Sequence, residues 1–176
     1  MRLRSSGLIL GAILAGGQAR RFGSDKAHAM IDGVRLIDRV ADALGAQTTA
    51  LIVCGREEPG YGCVPDQPAA GLGPLGGLKA ALTFAEAKGF AHVVSAGVDV
   101  PNLPASLAAQ LAGEGAGIVA SQPVVGLWPV SLAADLSDFL EEGGRALYGF
   151  AEKVGARQVE IDPPLMNVNR PEDLES

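Results

Sequence analysis

Residues 14–26 read Leu-Ala-Gly-Gly-Gln-Ala-Arg-Arg-Phe-Gly-Ser-Asp-Lys and come directly after the apolar run 8–14. The pattern is that of a buried strand opening into a glycine-rich loop that closes on basic residues. Gly16 and Gly17 carry no Cβ, so their backbone can take unusual dihedrals and lie close against a ligand. Successive backbone N–H groups in such a loop form an anion-binding concavity. Arg20, Arg21 and Lys26 add positive charge beyond it. A polyphosphate needs both features, many donors and compensating cations, so the segment points to a nucleotide.

Two common phosphate loops do not fit. In a P-loop four residues separate the glycines and Lys follows the second. Here five residues stand between Gly17 and Gly23, and Ser24 follows Gly23. A dinucleotide fingerprint occurs by letter at Gly71, Gly73 and Gly76. It does not follow directly on a strand, and no acidic residue stands about 20 positions on at a strand end, as that motif requires.

The elements that must hold the loop alternate along the chain. The run 8–14 is continuously apolar, as expected of a central parallel strand. Apolar residues at 36, 37, 40, 41 and 44 predict a helix. Residues 50–54 read as a second buried strand, 75–87 as a helix, and 93–96 as a third strand ending just before Asp99. Pro104 is expected to start a helix, where its missing N–H costs nothing. Further strands are expected over 118–120 and 124–128, and helices over 132–140 and 146–154. This order implies a three-layer α/β sandwich with a mostly parallel, Rossmann-like sheet. The 176 residues suit one domain over 1–176. Ligands of such open sheets sit beyond the carboxyl ends of the strands. The loop after Leu14 and the Asp99 loop should therefore face one crevice, where a divalent ion would bridge phosphates and carboxylate.

The pattern Leu-Ala-Gly-Gly-x-x-x-Arg-x-Gly, followed by Asp25-Lys26, resembles that of the molybdenum cofactor guanylyltransferases, within the wider group of sugar-nucleotide-type nucleotidyltransferases. Gly73-Pro74-Leu75-Gly76-Gly77-Leu78 resembles that family's Gly-Pro-Leu-Ala-Gly-Leu, and Val98-Asp99-Val100-Pro101 its metal-binding Asp-x-Pro. Residues 123–129 (Pro-Val-Val-Gly-Leu-Trp-Pro) and 167–174 (Asn-Val-Asn-Arg-Pro-Glu-Asp-Leu) resemble two further family segments. The likeness runs from about residue 14 to 174, and the Gly-Leu-Trp-Pro segment narrows it toward the guanylyl branch.

The resemblance implies a nucleotide-diphospho-sugar-transferase-like fold and a set of roles. Leu14, Ala15 and Gly16 would meet base and ribose through backbone groups, with Gly17 in the phosphate loop. Lys26 would contact phosphate, and Arg21 would touch the phosphates or steady the leaving pyrophosphate. Asp66 would bind the base or ribose side, with turn formation beside Pro65 and Pro68 as its alternative. Asp99 would ligate Mg²⁺. Arg20 is expected to face solvent and Asp25 to brace the loop, paired or not with a neighbouring base. Asn169 with Glu172 reads as a helix cap, and Asn167 as a residue of the acceptor pocket. Trp128 is either core or acceptor platform. Three departures stand out. Gln122 replaces the His of many relatives, the stretch 118–122 is short, and residues 52–56 lack an asparagine that relatives often show.

Composition bounds the rest. Hydrophobic residues are 48% and charged residues 19%, so a core can form. A net charge of −6 with a basic cluster at 20–26 argues against broad nucleic-acid binding. Cys54 and Cys63 read as buried thiols of a reducing cytosol, and with His28 and His92 they make no zinc pattern. Arg2 and Arg4 before the run 7–15 mimic a leader, but Arg20 and Arg21 follow at once and the run carries the loop. No stretch reaches the ~18 apolar residues of a membrane span. With the resemblance, the expectation is a cytoplasmic, Mg²⁺-dependent enzyme that uses GTP and molybdopterin, with other cofactor-biosynthesis proteins or recipient molybdoenzymes as partners. A cytidylyltransferase of the same fold, acting on molybdopterin or a sugar-like phosphate, and a non-catalytic nucleotide-binding regulator are the alternatives.

Overall fold

The computed structural model describes residues 7–16, 25–168, 170 and 172–173. Its centre is a seven-stranded sheet made of β1 (Ile9–Leu14), β4 (Ala50–Cys54), β5 (Gly62–Val64), β6 (His92–Ala96), β7 (Gly117–Val119), β8 (Gln122–Pro129) and β9 (Arg157–Val159). The order across the sheet is β5-β4-β1-β6-β8-β7-β9. β8 runs against its neighbours β6 and β7, and the remaining pairings are parallel. A two-stranded ribbon, β2 (Met30–Ile31) and β3 (Val34–Arg35), lies apart from it.

Side-chain alternation along the strands feeds two cores, because successive residues of a strand point to opposite faces. Leu10, Ala12, Ile52, Cys54, Val93 and Trp128 face α2 (Pro74–Lys88), α4 (Ala133–Glu141) and α5 (Leu147–Lys153). Ile13, Val53, Val94 and Ala96 face α1 (Leu36–Gly45) and α3 (Leu107–Leu111). These are the three layers expected from the chain order.

One local expectation changes, and one open reading closes. The helix expected at Pro104 begins three residues later, at Leu107. Leu103 is buried in the core and the Leu107 N–H donates to the Pro104 carbonyl at 3.1 Å, so residues 104–106 form a turn ahead of the helix. Trp128 is core. It is fully buried, stacks on Phe150 with ring centroids 5.8 Å apart, and donates its indole N–H to Ser95 Oγ at 2.9 Å. Ser95 in turn donates to the Val124 carbonyl at 2.8 Å, which satisfies a hydroxyl that is completely buried in the sheet.

Ser95→Ala leaves the Trp128 N–H buried without an acceptor and should cost about 1–3 kcal/mol of unfolding free energy, read by denaturant titration. In a Trp128→Phe background the same change should cost much less, because the two side chains form one unit.

Candidate active site

The strands of the parallel half end level with one another. Leu14 of β1 is paired with Cys54 of β4, and Ile13 with Ala96 of β6. The chain leaves these ends into one cavity of about 510 Å³. Leu14 at the end of β1 is followed by Ala15 and Gly16; after β4 comes Arg56; after β5, Asp66; after β6, Gly97, Val98 and Asp99. Gly73, Pro74 and Gly77 at the start of α2, Val124 of β8, and Asp25, Lys26 and Ala27 close the remaining sides. The structure thus brings together six residues expected from the sequence: Leu14, Ala15, Gly16, Lys26, Asp66 and Asp99. Gly17 and Arg21 lie outside the described residues, as do Arg20 and Asn169. Asn167 is exposed and Gln122 half-buried, and neither lines the cavity.

The floor of the cavity is a glycine cage around one carboxylate. A Cβ built on Gly16 would lie 2.7 Å from Asp66 Oδ2, and one on Gly55 would lie 2.5 Å from the Gly16 Cα. Gly55 also has φ +92°, a backbone that L side chains rarely adopt. Gly76 closes a third side, 3.1 Å from Asp66 Cβ by the same construction. Within this cage Asp66 Oδ1 is buried with no hydrogen-bond partner among the described residues. Burial pushes the Asp66 carboxyl above the usual carboxylate range. The neighbouring Cys54 thiol, buried and close to Asp66, is pushed up to about 12 and is therefore an inert neutral group at pH 7.

Asp99 stands on the opposite wall. Burial pushes its carboxyl up, and the Lys26 charge pulls it partly back. Its carbonyl accepts the Val168 N–H at 2.7 Å, so the segment near residue 168 holds the Asp99 loop in place. Among the described residues no group of three or more His, Cys, Asp or Glu could hold a metal ion. On this wall the cavity offers one carboxylate, Asp99, facing the charge of Lys26. That donor set fits Mg²⁺, which binds one or two carboxylates and takes its other ligands from substrate phosphates and water.

A cluster of ion pairs behind Lys26 was not foreseen from the sequence beyond the bracing role of Asp25. Asp25 caps the 3₁₀ turn Lys26–His28 by accepting the Ala27 N–H at 3.2 Å. It also accepts two hydrogen bonds from Arg56, at 2.8 and 2.6 Å. That guanidinium holds the Asp25 carboxyl down at about 2. Glu58, with a side chain 1% exposed, faces His28 Nε2 at 2.9 Å, Arg35 Nη1 at 3.1 Å and Arg56 Nε at 3.4 Å. Arg56 and Gly55 directly follow a buried parallel strand, so the rule that sites lie at strand carboxyl ends could have nominated them. Glu58 gives no such signal.

The region 11–158 matches the model of the MobA-like NTP transferase domain. A molybdenum cofactor guanylyltransferase of Cereibacter sphaeroides is 39% identical over 180 residues, covering 94% of this chain and 93% of that protein. The chain belongs to the MobA-like NTP transferase family. A guanylyltransferase of Rhizobium leguminosarum bv. trifolii is 34% identical, with 94% of this chain and 90% of that protein covered. Among solved structures, the molybdopterin-guanine dinucleotide biosynthesis protein A of Archaeoglobus fulgidus superposes with a TM-score of 0.75 at 22% identity, over 94% of this chain and 95% of that one. The 2-C-methyl-D-erythritol 4-phosphate cytidylyltransferase of Thermus thermophilus superposes at 0.72 with 17% identity, over 96% of each chain. These two show that the family fold is shared. No helix among the described residues is long and apolar enough to cross a membrane.

The caged Asp66 carboxylate sets up a pH-dependent test. Its folded pKa lies above that of an unfolded Asp, so its ionised form costs stability at neutral pH, and that cost fades as pH falls and the group protonates. Asp66→Asn should therefore raise the thermal midpoint at about pH 7.5. The gain should shrink toward about pH 4.5 in a series of fluorimetric melts, while nucleotide binding is lost.

Proposed function

We propose that this chain transfers GMP from GTP to molybdopterin, releasing pyrophosphate. The observation that carries the reading is the cavity itself, in a chain that matches guanylyltransferases along nearly their whole length. Lys26 and the half-buried Asp99 carboxylate line one cavity at the carboxyl ends of parallel strands, and a cage of backbone around one unpartnered carboxylate oxygen lies beneath them.

In this reading Leu14, Ala15 and Gly16 present backbone groups to the base and ribose. Asp66 Oδ1 receives the hydrogen bond it lacks from an N–H or O–H donor of the nucleoside. Lys26 compensates the phosphates as a compact point charge. Arg21, which the motif puts in the phosphate loop, neutralises the departing pyrophosphate. Mg²⁺, held by Asp99, would neutralise charge on the nucleotide phosphates. A phosphate oxygen of molybdopterin attacks the α-phosphorus, the bond to the β-phosphate oxygen breaks, and the pyrophosphate carries away the electron pair. The attacking phosphate is already ionised at pH 7, so the protein needs no general base. Its contribution is in-line placement and charge compensation.

Two measurements test the assignment. Pyrophosphate release with each of the four NTPs and molybdopterin should show at least ~100-fold preference for GTP over CTP in kcat/KM, because a site built to pair with a base edge strands its own polar groups against the wrong base. A preference for CTP would move the chain to the cytidylyl branch. Asp99→Asn should lower kcat by roughly 10²-fold or more with a normal thermal melt, the scale of removing one preorganised electrostatic contact. Near wild-type turnover at limiting Mg²⁺ would remove Asp99 from the metal role.

A further inference from the structure

The described lining of the cavity carries three carboxylates, Asp25, Asp66 and Asp99, against two cations, Lys26 and Arg56. Without Arg56, a polyphosphate entering this part of the cavity would meet one ammonium and three carboxylates. The guanidinium is fixed at the edge of the cavity by its terminal nitrogens, while its Nε lies buried without a hydrogen bond among the described residues. Asp25 fixes its plane through two hydrogen bonds, and the buried Glu58 faces its Nε from behind. Glu58 is itself obliged to keep cations around it, since a buried carboxylate without compensation is costly. Its contacts to His28 and Arg35 anchor it to the 3₁₀ turn that bears Lys26 and to β3.

The clamp does not exhaust Arg56. A guanidinium has five N–H donors, and the fork onto Asp25 uses one on each terminal nitrogen. The side chain stays 27% exposed and lines the cavity beside Lys26. A planar donor already fixed in orientation loses little rotational freedom when an anion arrives, which is the condition under which a charged contact contributes most.

We propose that Arg56 is a second phosphate-contacting cation of the nucleotide cavity, preset by Asp25 and Glu58. The proposal rests on the nucleotide reading of the site and adds a contact outside the glycine-rich loop. The alternative is a brace, in which Arg56 acts only by positioning Asp25 and, through it, Lys26.

A double-mutant cycle with Lys26 separates the two. Affinity for a fluorescent ribose-labelled GTP is titrated in the wild type, Arg56→Gln, Lys26→Ala and the double variant, each checked by its thermal melt. Arg56→Gln should weaken binding about tenfold or more, the scale of a hydrogen bond to a charged group. In the Lys26→Ala background it should weaken binding again by a similar factor, because the contact is its own. A loss that vanishes once Lys26 is gone overturns the proposal and makes Arg56 a brace, and no loss in either background overturns it as well. If Arg56→Gln does not fold, Arg56→Lys takes its place. It keeps the charge but not the planar fork, so it should weaken binding by a similar factor in both backgrounds, and a loss that vanishes once Lys26 is gone, or no loss at all, overturns the proposal. Parallel titrations with labelled CTP keep the base question apart. If CTP binds and GTP does not, the guanylyl reading fails and the Arg56 cycle is read on CTP.

Discussion

The structure turns on a contact with no room for a methyl group. Two chain turns, one leaving β1 at Gly16 and one leaving β4 at Gly55, touch backbone to backbone above the Asp66 carboxylate. Parallel neighbours whose ends are level, as Leu14 and Cys54 are, deliver their turns to the same place. Only glycine lets both turns pass. The contact seals the floor of the cavity with main chain instead of side chains, so what the floor offers a ligand is backbone N–H and C=O and the half-buried Asp66 carboxylate. The surrounding elements follow from this. α2 is preceded by Gly73, whose φ of +68° suits glycine, and it keeps Gly76 and Gly77 in its first turns, where a Cβ would press to 3.1 Å from Asp66 Cβ and Leu14 Cδ2.

Charge in the cavity is sorted by the same geometry. Asp66 and Asp99 sit in walls where burial raises their carboxyls. Asp25, 40% exposed and forked by Arg56, is pulled the other way. One cavity thus holds carboxylates of opposite tendency: Asp25 forked by a protein cation, Asp99 compensated in part by Lys26, and Asp66 with one buried oxygen unpartnered among the described residues. Unmet demand in a concave site lined by a few convergent polar groups is what a ligand satisfies. It also marks a local conflict with stability, of the kind expected where function is built in.

Much of this was legible in the residues, and the reasons for success and failure differ. The continuous apolar runs of β1, β4 and β6 and the stripe of α1 could be read because burial on both sheet faces, or on one helix face, leaves a periodic trace. Given those strands, the carboxyl-end rule placed Leu14, Gly16 and Asp99 in one crevice. β5 and β9 are three residues long, Gly-Cys-Val and Arg-Gln-Val, too short for any period to show. The β2–β3 ribbon carried its signal in Asp32-Gly33, both at positive φ, but each strand has only two residues. The Asp25–Arg56 and His28–Glu58 pairs join residues about thirty positions apart. Such partners share no spacing rule, so only the folded chain reveals them. Trp128 sat in the segment that suggested an acceptor platform, yet its ring is committed to Phe150 and its N–H to Ser95.

The hydrogen bond from Val168 to the Asp99 carbonyl has a consequence for the order in which the molecule is made. β1 leaves the ribosome before β4 and β6, and the loop that follows it carries the most recognisable motif of the sequence. The wall that faces it is pinned by a residue synthesised more than 150 positions later than Leu14. A nascent chain can pair β1 with β4 and β6 and still lack a finished cavity. Val168 thus acts as a clasp on the Asp99 wall that can close only after the strands carrying both walls have been made.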